Sequence, residues 1–201
     1  MNTMLRVAAF TQGRDVPSAR FRVQQYVPAL QRLGIDMAEW PAKYGGYPPS
    51  GILRRLRWFA RTFSERSRAL AQAADADVAL IQREMISTLA TVERRWKKPA
   101  VFDVDDAIWL HQRFGGVERI ARACGTVICG NAFLADYFSD FADVKIIPTA
   151  VDTRRYEPGE RSDLPLMCWS GSASGLRFLE ALEEPLREVF EVVPQAKLRV
   201  I

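Results

Sequence analysis

Short apolar runs alternate with helical stretches along most of this chain, and that alternation limits the fold more than any other feature. Residues 5–10, 35–40, 78–81, 100–104, 126–129 and 144–147 are brief, largely apolar segments of the kind that form buried strands. Between them lie stretches with helical spacing at 18–33, 52–74, 88–97, 117–123 and 132–139. Strands alternating with helices build βαβ units, hence an α/β fold: a doubly wound, Rossmann-like parallel sheet covered on both faces. Local signals punctuate the series. Ser18 is placed to cap the first helix and Gly34 to stop it, while Pro28 inside it predicts a kink near Tyr26.

Pro148 closes the sixth strand, and residues 153–165 are polar and broken by Pro158, Gly159 and Pro165. That stretch reads as a linker between a first domain at 1–152 and a second at 166–201. The second repeats the pattern: strand 166–169, a small-residue turn at 170–174, helix 175–190 and strand 198–201. A parallel strand needs both faces covered, so this second domain is expected to continue beyond Ile201.

Composition narrows the class. With 48% hydrophobic and 26% charged residues the chain is neither disordered nor collagen-like. No apolar run reaches the ~20 residues that cross a bilayer. Three cysteines, Cys124, Cys129 and Cys168, fit reduced thiols in a cytoplasmic protein better than a disulfide framework. Cys124 and Cys129 have no companion ligands nearby and read as buried thiols. The net charge of +4 divides unevenly. Residues 1–99 carry 17 Lys/Arg against 8 Asp/Glu, whereas 100–201 carry 11 against 16. A basic half points to phosphate, a polyanion or an anionic membrane surface, or else to a solvated arginine-rich face.

In a doubly wound sheet, ligands bind beyond the carboxyl ends of the strands. Three features fall at that edge. The first is the loop from Gly13 through Arg14 to Ser18, followed by Arg20 and Arg22 on the next helix. Gly13 lets a ligand approach the backbone, and the arginines offer forks for phosphate or for an anionic acceptor. The second is Asp103-Val104-Asp105-Asp106. Carboxylates this close repel one another unless a metal, an arginine or a proton relieves them, so the cluster suits a metal, a catalytic base or a sugar-hydroxyl acceptor. The single histidine, His111, lies close enough in sequence to join it. The third is the turn holding Gly171, Ser172 and Ser174. Small residues before a helix suit a diphosphate, and N-capping explains them equally well.

The long helix at 52–74 has two sides. Ile52, Leu56, Phe59, Phe63 and Leu70 form one, expected to pack on the core. Arg54, Arg57, Arg61 and Arg68 share the other with Trp58. A basic face with an exposed tryptophan suits an anionic membrane surface, and a solvated face is the plain alternative.

The succession SARFRVQQYVPALQRLGI (18–35), VFDVDDAIW (101–109), ICGNAFLADYF (128–138), VKIIPTAVDTRRYEP (144–158) and CWSGSASGLRFLEAL (168–182) resembles retaining glycosyltransferases of the GT-B fold, family 4 type. The sharpest piece, IIPTAVDTRRYEP, resembles the segment that closes the family's first domain, although Ala150 stands where the family has glycine. The resemblance implies two Rossmann-like domains, an acceptor side at the N-terminus and a nucleotide-sugar donor side at the C-terminus. It implies Gly13 near the donor phosphates, Arg20 and Arg22 near the acceptor, and Asp105 and Asp106 bordering the reaction centre as catalytic residues. Gly171, Ser172 and Ser174 become donor-binding candidates. The co-substrate would be a nucleotide sugar, with no essential metal and no other cofactor. The acceptor would be a glycan, a lipid-linked carbohydrate or a small molecule, as in cell-surface polysaccharide synthesis. The family's donor-selecting basic pair and glutamates belong downstream of Ile201, so these 201 residues alone are expected to transfer no sugar. A non-catalytic nucleotide-sugar-binding or scaffold domain is the first alternative. A Mg²⁺-dependent phosphoryl-transfer domain built on Asp103, Asp105 and Asp106 is the second. No nucleic-acid partner is expected, because the basic residues are not interleaved with several aromatics. A cytoplasmic protein, peripheral to the inner membrane face through Arg54, Arg57, Trp58 and Arg61, completes the reading.

Overall fold

A computed structural model describes residues 4–87, 92–111, 115–159, 164–171 and 175–201. The chain divides into two compact units, Met1–Asp152 and Thr153–Ile201. In the first, six strands form one sheet: β1 (Leu5–Thr11), β2 (Ile35–Pro41), β3 (Val78–Gln82), β4 (Ala100–Val104), β5 (Gly125–Cys129) and β6 (Asp143–Ile146). Their order is β2-β1-β3-β4-β5-β6 and every pairing is parallel. The helices are α1 (Pro17–Arg22), α2 (Val27–Arg32), α3 (Ile52–Gln72), α4 (Gly116–Cys124) and α5 (Ala132–Phe138). This is a Rossmann-like α/β architecture.

Register and connection handedness together decide where the core lies. Ala8 pairs with Ala79 and Phe10 with Ile81, Ile81 with Phe102, Phe102 with Val127, and Val104 with Cys129. These residues therefore share one face. From β2 onward each next strand is added in the same direction across the sheet, and right-handed crossovers put those connections on that same face. Ala69 and Leu70 of α3, Val117 and Ile120 of α4, and Leu134 and Phe138 of α5 complete its buried cluster. Phe102 meets Phe138 edge to face at 6.0 Å. Only the step from β1 to β2 runs the other way, so α1 and α2 cover the second face. Ala19 and Val23 are fully buried there, whereas Leu80, Val101 and Ile128 on β3 to β5 stay half-buried. Helices thus lie on both faces, as the alternation implies, with the second face less fully covered over β3 to β5.

Prolines reshape the helices. The stretch at 18–33 is broken rather than kinked: α1 ends at Arg22, Gln24–Tyr26 forms a 3-10 turn, and α2 restarts at Val27. Pro28 has no N–H to give and is accommodated in the first turn of α2. Helix α1 starts at Pro17 with Val16 before it and no side-chain cap, so Ser18 is not the cap. Of the helix expected at 88–97, residues 88–91 lie outside the described set, and the remainder holds only a 3-10 turn at Glu93–Arg95. Glu93 is buried there and accepts the Met85 N–H at 2.6 Å, a tie back to the segment after β3 that overrides helical spacing.

In the second unit, β7 (Leu166–Trp169) and β8 (Lys197–Val200) pair in parallel. The expected helix at 175–190 is two, α6 (Leu176–Glu180) and α7 (Glu183–Val192). Pro185 would clash with the carbonyl four residues back at Ala181, which places the break there.

Candidate functional site

In the order β2-β1-β3 the chain reverses direction across the sheet between β1 and β3, and a doubly wound sheet opens its ligand crevice beyond the carboxyl ends at such a point. The loop after β1 begins there. Gly13 has a φ of +154°, and a Cβ on it would lie 3.0 Å from the Val16 side chain, so the turn requires glycine. Gln24 fixes the loop from outside by donating to the Arg14 carbonyl at 2.8 Å and to the Glu39 carboxylate. Gln12 donates its side-chain amide to the Glu84 carbonyl, joining the ends of β1 and β3.

Beneath this loop, Arg22 reaches from α1 to β4. Its Nε donates to Asp103 Oδ2 at 3.1 Å and its Nη2 to Oδ1 at 2.5 Å; Nη1 donates to the Ile147 carbonyl at 2.6 Å and to Thr149 at 3.4 Å. Both side chains are buried, 3% and 4% exposed. Burial alone would lower the Arg22 pKa, but the hydrogen bonds and charge of Asp103 outweigh it and hold the guanidinium above its ordinary value. Of the three reliefs open to the acidic cluster, Asp103 has the arginine. Arg22 is therefore a strut among α1, β4 and the segment after β6, and its donors are engaged. Arg20 is 200° away from it around a short helix. It is exposed, its guanidinium 6.0 Å from the Phe21 ring, so the two arginines do not act as a pair.

Asp105 and Asp106 follow the end of β4. A 3-10 turn at Ile108–His111 folds the chain back behind them, with the Ile108 N–H donating to the Asp106 carbonyl at 2.8 Å. Buried Ile108 and a flat stack of Trp109 on Tyr137 at 3.8 Å hold that turn to α5. Asp106 is exposed and meets Arg83 at 3.3 Å. Burial, then the negative charge of Asp106, pushes the Asp105 carboxyl above the usual carboxylate range, against the pull of Arg83. Asp105 Oδ1 is buried with no hydrogen-bond partner. The same holds for Ser18 Oγ and for both amide atoms of Gln82, the strand neighbour of Asp103. Such unmet capacity at a strand edge suits a ligand's hydroxyls or phosphate oxygens. His111 ends the turn, and its side chain lies outside the described set. Among the described residues no group of three or more His, Cys, Asp or Glu is placed to hold a metal.

Elsewhere the structure separates residues that spacing had joined. Phe59, Phe63 and Trp58 pack on the core, and the Trp58 indole donates to the Tyr44 carbonyl at 3.0 Å, so Trp58 does not stand free on the basic face. Ile52 and Leu56 are exposed instead, at 78% and 61%, because the first turns of α3 extend past the sheet. Arg66, fully buried, is the residue that spacing missed: it donates to the Trp40 carbonyl at 3.0 Å and the Thr11 carbonyl at 3.3 Å, tying α3 to the ends of β1 and β2. In the second unit a Cβ on Gly171 would lie 2.8 Å from the Trp169 ring; Ser172 and Ser174 fall outside the described residues.

No family model matches the chain, and no curated protein matches it. Solved structures do match. One is an alpha-glucosyltransferase in complex with UDP-glucose and DNA containing an abasic site, which superposes with a TM-score of 0.53 at 15% identity, over 83% of this chain and 49% of that one. The chain thus spans about half the length of that structure, and at this identity the likeness is one of fold. No described helix is long and apolar enough to cross a membrane.

Proposed function

We propose that this chain belongs to a retaining glycosyltransferase that moves a sugar from a nucleotide-sugar donor to a carbohydrate, lipid-linked or small-molecule acceptor. The observation that carries the reading is the edge cluster itself. A glycine-requiring loop, a half-buried carboxylate with one buried, unpartnered oxygen and a second, exposed carboxylate lie along one sheet edge, in a fold shared with a glucosyltransferase solved with UDP-glucose. In the proposed reaction the bond from the anomeric carbon to the diphosphate breaks, the acceptor oxygen bonds to the same face of that carbon, and the acceptor proton passes to the departing diphosphate. The chain's task is to orient and to stabilise charge. Gly13 admits the donor phosphates to the backbone. Asp105 and Asp106 accept hydroxyl hydrogen bonds at the reaction centre; Ser18 and Arg20 line the acceptor side. Arg22 positions the strand end through Asp103. Gly171, Ser172 and Ser174 are proposed on the donor side, and no essential metal is proposed.

The phosphoryl-transfer alternative needs Asp103 free for Mg²⁺, and both its oxygens are held by Arg22. A non-catalytic nucleotide-sugar-binding domain remains the second reading, supported by the same edge. The neighbour's DNA removes support for excluding a nucleic-acid acceptor, so DNA belongs among the acceptors tried. A cytoplasmic, membrane-peripheral location is proposed on the exposed Ile52, Leu53 and Leu56 beside Arg54 and Arg57. The test is nucleoside diphosphate release from a panel of nucleotide sugars with EDTA present, measured on the full-length protein that carries these 201 residues. Release that falls more than ~100-fold in Asp105→Asn supports the reading, that being the scale of one lost transition-state contact. Tight binding with no release selects the binding-module reading, and neither binding nor release overturns both.

A further inference from the structure

We propose that a second site, separate from the Arg22–Asp103 cluster, binds a phosphate ester in the cavity between the carboxyl end of β2 and helix α3. The cavity holds about 940 Å³, within the size range of small-molecule clefts. Four cations from three segments converge on it: Arg14 from the loop after β1, Lys43 from the loop after β2, and Arg61 and Arg68 from α3. Arg61 and Arg68 are two helical turns apart and so share a face. Arg14, Arg61 and Arg68 form no ion pair among the described residues, and Lys43 acts on Glu65 through its charge without a close ion pair. The carboxylate in the wall, Glu65, is partly answered: burial pushes its carboxyl above the usual range, its Oε1 lies 3.6 Å from the Arg66 guanidinium, and its buried Oε2 has no hydrogen-bond partner.

Like charges repel, and gathering four cations around one concavity raises the energy of the empty site unless an anion fills it. Three guanidinium forks and an ammonium match the oxygens and double charge of a phosphate better than the single charge of a carboxylate. Trp40 and Tyr44 add a flat apolar flank for the organic part of the ester. Sequence spacing had set Arg14 with the glycine loop and Arg61 with the membrane-facing side; the fold brings them to one cavity. This site does not depend on the glycosyl-transfer reading.

Calorimetric titration with inorganic pyrophosphate at about 0.15 M salt tests the proposal. The double variant Arg61→Glu/Arg68→Glu is expected to weaken binding roughly tenfold or more, since each charge-assisted contact is worth about a factor of ten. Arg54→Glu/Arg57→Glu makes the same charge change on the same helix outside the cavity, and is expected to alter binding by less than about twofold once salt screens it. Glucose 1-phosphate and dihexanoylphosphatidic acid below its micelle concentration then compete for the pyrophosphate. Displacement by the sugar phosphate assigns a soluble ester, and displacement by the lipid assigns a membrane headgroup. No pyrophosphate binding, equal loss in both double variants, or no displacement by either ester overturns the site. Nucleotide-sugar turnover is expected to survive Arg61→Glu/Arg68→Glu, which keeps this failure distinct from that of the proposed reaction.

Discussion

Replacing Arg22 by leucine removes the guanidinium and leaves the Asp103 carboxylate in a site where its side chain is 4% exposed. Two hydrogen bonds to Asp103 vanish, together with the tie to the Ile147 carbonyl. Breaking one side of a buried pair costs about 3–5 kcal/mol, because the surviving charge keeps its desolvation penalty without a partner. Domains are stable by only about 5–15 kcal/mol, so the variant should lose a large part of its stability. At a urea slope of about 2 kcal/mol per molar, the midpoint should fall by roughly 2 M. Arg22→Leu/Asp103→Leu removes both charges and should recover most of the loss. The pH dependence has a defined sign. In the single variant burial raises the folded-state pKa of Asp103 above its unfolded value of about 4. The folded state then holds the proton more tightly, and the charge-dependent deficit should shrink as pH falls through the raised folded-state pKa toward about 4, with no further change below. Urea titrations followed by circular dichroism at pH 7 and pH 4 measure all three. A loss under about 1 kcal/mol, or a double variant weaker than the single one, would refute the reasoning that Arg22 acts as a strut.

Asp105 carries a similar signature without a full partner. Its carboxyl is raised by burial and by Asp106, so its ionised form weakens the fold above about pH 4 and not below. Asp105→Asn should therefore be more stable than the native chain at pH 7 and equal to it at pH 3.5; unfolding midpoints at the two pH values decide. Among the thiols, burial pushes Cys124 to about 12 and Cys129 to about 11, whereas Cys168 is exposed. One thiol per chain should react rapidly with Ellman's reagent at pH 8, and three fast thiols would contradict the packing. Leu53→Asp/Leu56→Asp should reduce sedimentation with phosphatidylglycerol vesicles without changing the unfolding midpoint, since both residues are exposed. Unchanged sedimentation would remove the membrane face.

Much of the first unit was legible because parallel strands buried on at least one face read as continuous apolar runs, and β3, β4 and β5 each do. The crevice edge was legible too, since Gly13 and the three aspartates sit where such runs end. Helix continuity was not. Pro28 and Pro185 each allow a kink or a break, and the choice depends on what the next turn packs against. Half of α3 was misjudged for a related reason: its spacing gives the apolar direction but not how far the sheet extends beneath it. Arg22, Arg66 and Gln82 were the hardest to read. Burial of a polar side chain is set by partners far away in sequence, and Arg22 lies 81 residues from Asp103. A lone arginine in a helix carries no local mark of that pairing.

Hydrogen exchange on the protein with and without a saturating nucleotide sugar tests the central claim most directly. If the carboxyl edge of the sheet is the donor and reaction site, peptides covering residues 11–18 and 103–108 should gain protection, while the amino ends of β3 and β4 should not change. Protection confined to other regions, or none at all with any nucleotide sugar, would contradict it.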